Sequence, residues 1–445
     1  MSERFAEAAG STDGSVVRST VEAVFREEHG RLLAALARRF GDLDLAEEVA
    51  SEAIAAALAH WPTDGVPPNP GAWLMTTARR KAVDRLRRDR VHAARLAVLQ
   101  LEMRAELDRA GPAAGAGASA DTPGDTAGDL PDERLQLFFT CAHPALPAED
   151  RTALTLRCLA GLTTPEVARA FLVPVETMAK RITRAKKKIR EARIPFRVPD
   201  SDELPQRLPG VLQVIYSIFT EGYAASSGPG LQRLALAEEA IRLARILRRL
   251  MPADREAAGL LALMLLTHAR RAARTGPDGE PLLLDVQDRG RWDRAMIEEG
   301  SRLVVTALTG GPPSAYAVEA AIAALHDEAP TFAATDWPQI VALYDVLLTM
   351  TPSPVVALNR AVAVAMRDGP QAGLVLLDGL AGEPQLRGHH PYAAARADLL
   401  ARLGRVTEAA SAYQRALELA GTEPERAHLR RRLRDLGTPE TTPTT

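Results

Sequence analysis

The sequence predicts an all-α protein in three blocks, roughly residues 18–98, 132–194 and 205–436. Three observations carry this expectation. Apolar residues recur at three- and four-residue steps along nearly the whole chain, as on one face of a helix. No convincing run of alternating β-branched residues marks a strand. Aromatic residues make up only 4% of the 445, too few for a sandwich or barrel packed on rings. At 46% hydrophobic and 25% charged, the chain can bury real cores.

In the first block, Leu32, Leu33, Leu36, Phe40 and Leu43 form one helical stripe. Leu45, Val49, Ala53 and Ala57 form the next, and that helix also carries Asp44, Glu47, Glu48 and Glu52. Its acidity suits a protein-facing surface, because DNA would repel it. The stretch HWPTDGVPPNP, His60–Pro70, reads as a proline-rich loop. A basic helix, PGAWLMTTARRKAVDRLRRDR, follows. Met75, Ala78, Ala82 and Leu86 share a narrow face that can pack inward, while Trp73, Thr77, Arg80, Lys81, Arg87 and Arg88 lie opposite. A ring, a hydroxyl and several cations together suit single-stranded or distorted DNA, with bases stacked and phosphates held. A merely solvated basic face would have the same composition.

A flexible linker is expected over 99–131, since GPAAGAGASADTPGDTAGDL, Gly111–Leu130, holds one large apolar residue and cannot build a core. The most specific local signal lies in the second block, from Leu159 to Ala192. Thr163 and Glu166 form a capping box with Pro165 in the first turn. Val167, Ala168 and Phe171 give this short helix an apolar face, and Leu172–Val173–Pro174 end it. A second helix starts near Val175, with Met178, Ile182 and Ile189 facing inward and Thr177, Lys180, Arg181 and Arg184 outward. Two short helices, a tight turn and a basic second helix describe a helix-turn-helix, whose second helix lies in a DNA major groove. Leu172 stands where many such turns have glycine, so the turn either avoids positive φ or bears strain.

In the third block, Gly369 and Gly404 lie 35 residues apart in comparable settings, close to the tetratricopeptide period. An irregular helical solenoid and a plain helical domain both fit. Asp285–Trp292, DVQDRGRW, reads either as a ligand or peptide groove or as a helix cap with ordinary salt bridges. His389–His390 and Cys141-Ala-His143 lack the further ligands of a metal site, and no nucleotide-binding or hydrolase motif occurs. Neither a metal, a cofactor nor an enzymatic activity is expected. Two cysteines, no basic-then-apolar leader and no apolar run long enough to span a bilayer point to the cytoplasm, without a membrane partner.

The formal net charge of −2 conceals segments of −5 over 1–60, +6 over 79–95, −6 over 96–177 and +7 over 178–193. Overall neutrality therefore does not exclude a polyanion.

The order of acidic helix, proline loop, Trp-containing basic helix, tether and helix-turn-helix resembles an extracytoplasmic-function sigma factor of bacterial RNA polymerase. DLAEEVASEA is similar to the region-2 stretch that docks on the β′ clamp helices, and PGAWLMTTARRKAVDRLRR to the stretch that melts and reads the −10 element. Leu159–Ala192 is similar to region 4, which reads the −35 element and sits on the β flap. The resemblance implies Asp44, Glu47, Glu48 and Glu52 as core-polymerase contacts. It implies Trp73, Thr77, Arg80, Lys81 and Arg88 at the −10 element, and Thr177, Lys180, Arg181, Arg184 and Lys187 at the −35 element. Residues 205–436 resemble the tetratricopeptide-like extension of one subgroup, and their protein or small-molecule partner is left open. The acidic segments are expected to shield the basic helices in the free factor. A helix-turn-helix activator with a tetratricopeptide-like sensor is the alternative.

Overall fold

The computed structural model describes residues 28–107, 133–171, 173–225, 230–277 and 279–437, with 89–107 and position 169 as backbone only. Of the linker expected over 99–131, residues 99–107 are helical and 108–131 lie outside the described residues, as do the Leu172 turn position and the tail from 438. Among the described residues every regular element is helical, apart from one isolated bridge between Thr275 and Pro281. Two compact units form, one reaching Val211 and the other beginning at Leu212, with 169–171 grouped with the second.

The first unit opens with helix α1 (28–40), which buries Leu32, Leu33 and Leu36. Helix α2, Leu43–Asp64, starts where the Asp42 carboxylate accepts from the amides of Asp44 and Leu45. This cap satisfies donors that have no partner inside the helix. The expected proline loop begins later than its composition suggests. Pro62 lies inside α2, because Trp61 is 2% exposed and packs edge-on to Trp73 at 5.5 Å, which holds the last turn. Gly65, at φ 81°, then ends the helix. Helix α3, Pro70–Leu107, buries Leu74, Ala78 and Ala82 against its neighbours.

Helices α4 (Arg134–Cys141), α5 (Ala148–Cys158), α6 (Thr164–Ala170) and α7 (Val175–Glu191) follow. The capping box forms as its spacing predicts: the Thr163 amide donates to Glu166 Oε2 at 2.7 Å, and the Glu166 amide to Thr163 Oγ1 at 3.4 Å. Met178, Ile182, Ala185 and Ile189 make the buried stripe of α7. Helix α8, Leu204–Tyr223, begins inside the proline-rich stretch and contains Pro209. Near a helix start a proline removes only one backbone bond, so it does not break this helix.

The second unit runs through α9 (Leu234–Leu250), α10 (Arg255–Ala269), α11 (Arg294–Leu308) and α12 (Ala315–Glu328). It continues with α13 (Trp337–Met350), α14 (Pro354–Asp368), α15 (Pro370–Gly379), α16 (His390–Arg402), α17 (Val406–Leu419) and α18 (Glu423–Gly437). From α12 on, each helix packs on the next. The turns of the α14–α15 and α16–α17 pairs hold Gly369 at φ 97° and Gly404 at φ 71°, so the 35-residue spacing marks two similar hairpins. A left-handed turn residue is what such a short connection requires.

Close approach in the first hairpin rests on Gly373. A Cβ there would lie 2.4 Å from the Ala365 Cβ and 2.7 Å from the Ala361 carbonyl. Gly373→Val is expected to destabilise the second unit by about 1–3 kcal/mol. Calorimetry would show this as an earlier thermal transition, and an unchanged transition would mean that the helices do not pack this tightly.

Candidate functional site

The acidic face of α2 and the basic face of α3 pair in register. Glu52 accepts from Lys81 Nζ at 3.2 Å, and Glu48 pairs with Arg85, so the two helices run antiparallel. Lys81 and Glu52, expected to meet different partners, therefore hold each other. Trp73 and Thr77 are half-buried, whereas Arg80 and Arg88 are exposed. Arg88 Nε donates to its own helix at the Asp84 carbonyl, at 3.4 Å.

Helix α7 is held from two sides. At its first half, the acids that open α5 grip its arginines. The buried Asp150 carboxylate accepts from Arg184 Nε at 3.0 Å and Nη2 at 2.7 Å, and Glu149 pairs with Arg181 at 2.9 Å. The Asp150 hydrogen bonds hold the Arg184 guanidinium above its usual pKa. Thr177, Lys180 and Lys187 remain exposed on the same stripe as Arg184. Lys187 pairs with the neighbouring Glu191, at 3.6 Å.

At its second half, α7 meets the acidic end of α2. Lys186 Nζ lies 2.9 Å from Asp44 Oδ1 and 3.3 Å from Glu47 Oε2, and Arg190 lies 3.3 Å from Asp44 Oδ2. From α5, Arg157 Nη2 donates to Glu47 Oε2 at 3.0 Å. Burial alone would lower the Lys186 pKa, but the charge of Glu47 and the bond to Asp44 outweigh it and hold the ammonium above its usual value. The Cys158 thiol donates to Glu47 Oε1 at 3.8 Å. Contact with Cys141 and burial push the Cys158 pKa well up, so this thiol stays protonated. All four acidic residues expected to face polymerase thus hold cations of the first unit itself. Arg157, Lys186, Arg190 and Asp150 were not among the expected site residues. Lys186 and Arg190 stand in the basic run, but nothing near Arg157 or Asp150 signals a partner.

Two models of sigma-70 regions match in chain order on these helices. Sigma-70 region 2 matches residues 24–91, and sigma-70 region 4 matches residues 139–189. The chain belongs to the sigma-70 family. As a sigma factor it works with core RNA polymerase and promoter DNA in transcription initiation, and the region-2 match separates it from a conventional helix-turn-helix activator. Residues 207–308 of this sigma factor match a family of unknown function, DUF6596. The uncharacterized protein R00370 of Rhizobium meliloti (strain 1021) is 42% identical over 402 residues, covering 90% of this chain and 92% of that protein. Its similarity therefore runs well beyond the two sigma regions.

Beyond regions 2 and 4, the Asp285–Trp292 segment divides: Asp285 lines a cleft, whereas Asp288–Trp292 hold backbone groups. Asp288 accepts from the Gly290 amide at 2.9 Å, and Asp293 caps α11 through the Met296 amide at 3.2 Å. Arg289 donates to the carbonyls of His326 and Ala329 at 2.6 and 2.7 Å and stacks 4.4 Å from the buried Trp292 ring. Among the described residues no cluster of three or more His, Cys, Asp or Glu could hold a metal ion. His390 pairs with Glu425 at 3.4 Å, and His143 Nδ1 accepts from the Ala145 amide at 3.1 Å. No described helix is long and apolar enough to cross a membrane.

Burial sets the acid response of the second unit. It pushes His268 and His326 down to about 4, and pushes Asp327, 3.6 Å from Arg270, up to about 7. Between pH 6.5 and 4 the unfolded chain binds more protons at the two histidines, which costs stability as pH falls. Asp327 works the other way, because its folded form takes up its proton first. Chemical denaturation of the sigma factor should show the second unit losing stability over this range, and Asp327→Asn should steepen the loss. A flat profile in both proteins would contradict the burial of these side chains.

Proposed function

We propose that this sigma factor is of the extracytoplasmic-function type, acts in the cytoplasm without catalytic chemistry of its own, and alternates between closed and open forms. In the open form Asp44, Glu47, Glu48 and Glu52 dock on the β′ clamp helices, and the region-4 helices sit on the β flap. Trp73, Thr77, Arg80, Lys81 and Arg88 engage the −10 element, with an unstacked base against the ring and cations on phosphate. Thr177, Lys180, Arg181, Arg184 and Lys187 face the −35 duplex, where Arg and Lys can bind guanine edges. Residues 205–436 form a tetratricopeptide-like extension of interaction or regulatory role.

The observation that supports the closed form is the ion-pair cluster of Asp44 and Glu47 with Arg157, Lys186 and Arg190. It occupies the acidic docking face with the helix that should read DNA. Polymerase that binds the acids frees α7 for the promoter, so core binding and DNA reading become coupled.

Run-off transcription with purified core polymerase over a pool of genomic promoters is the direct test. The proposal expects transcripts from a defined subset, and failure to form a complex with core would overturn it. A second expectation concerns Arg157→Ala, which removes one clamp on Glu47 without touching α7. Both side chains are largely buried, at 18% and 11% exposed. Losing one partner therefore costs the closed form at least ~1 kcal/mol, and core affinity should rise about fivefold or more. An affinity that falls or stays constant would argue against a competing closed form.

A further inference from the structure

The second unit contains a cleft of about 850 Å³ that regions 2 and 4 do not use. Clefts of roughly 300–1,000 Å³ with an apolar lining and a few polar groups are the usual size for small organic ligands. One wall is the loop Pro281–Asp285 together with Phe332, Trp337 and Tyr344; the opposite wall comes from α14, α16 and α18. The aromatic wall is ordered: Trp337 lies edge-on to Phe332 at 5.5 Å and to His326 at 5.3 Å. Val362 and Met366 extend the apolar surface.

Charge inside the cleft is not balanced. Arg432 is matched by Asp398 at 2.7 Å and also donates to the Tyr413 hydroxyl, and His390 is matched by Glu425. Arg274 and Arg402 have no ion pair with any described carboxylate. Arg274 donates to the Tyr223 carbonyl at 2.6 Å and lies 3.5 Å from that ring's centre, and burial lowers its pKa. Arg402 makes only a 3.7 Å contact to the Met366 sulfur. Asp285 makes no ion pair with a described residue and is exposed to water on the loop. Two guanidinium groups without counter-ions beside a wall of rings match an amphipathic anion: the apolar body packs on Trp337 and Phe332, and the acid accepts from an arginine.

We propose that this cleft binds a small amphipathic carboxylate, aromatic or acyl, with Arg402 as an anion contact and Trp337 in the apolar wall. The site belongs wholly to the second unit and does not depend on the promoter reading above. The full-length chain would be titrated by calorimetry with 1-naphthylacetate and dodecanoate, and in parallel with 2-(1-naphthyl)ethanol and dodecanol. One carboxylate per chain is expected, with at least one acid about tenfold tighter than its alcohol. Arg402→Gln, at an exposed side chain, should erase that preference while leaving the thermal transition unchanged, and Trp337→Ala should weaken acid and alcohol alike. Equal binding of acids and alcohols, no binding of either acid, or full retention of the preference in Arg402→Gln would each overturn the proposal.

Discussion

Glu47 is the residue on which the first unit turns. Its side chain is 11% exposed and meets Arg157 from α5, Lys186 from α7 and the Cys158 thiol. A carboxylate this far from water is stable only while cations and donors satisfy it. Three helices therefore converge on one charge. Asp44, one turn earlier, widens the cluster toward solvent through Lys186 and Arg190. Hydrophobic packing forms the helices, but this network fixes how α7 meets α2. In the docking proposed above the same charges serve polymerase, so binding there would exchange the interaction that closes the unit.

Much of the architecture could be read from local pattern. Met178, Ile182 and Ile189 recur at helical spacing, and Thr163 with Glu166 announces a helix start; both features appear as their chemistry requires. The acidic and basic helices of the first block were legible for the same reason. Their mutual pairing was not. Glu47 and Arg157 lie 110 residues apart, and Lys186 and Asp44 lie 142 apart, so no local signal joins them. Asp150 reads as an ordinary first-turn acid, and only the fold shows it buried beneath Arg184.

Composition misleads where tertiary burial outweighs it. His60–Pro70 looks like loop, yet the burial of Trp61 carries α2 through Pro62. DVQDRGRW looks equally like a ligand segment and a set of caps. The fold uses Asp288 and Arg289 to hold backbone groups and leaves Asp285 on the wall of the cleft. That cleft draws residues from positions as distant as Arg274 and Arg432, and no stretch of sequence contains it.

The distance between α2 and α7 is the quantity that decides whether the closed cluster gates the factor. Spin labels at the exposed positions Ser51 and Thr183 would report it by pulsed electron resonance, in the free chain and with core polymerase. A single short distance in the free factor that lengthens when core binds is the result required by exchange of the Glu47 and Asp44 ion pairs. An unchanged distance in the polymerase complex would contradict it.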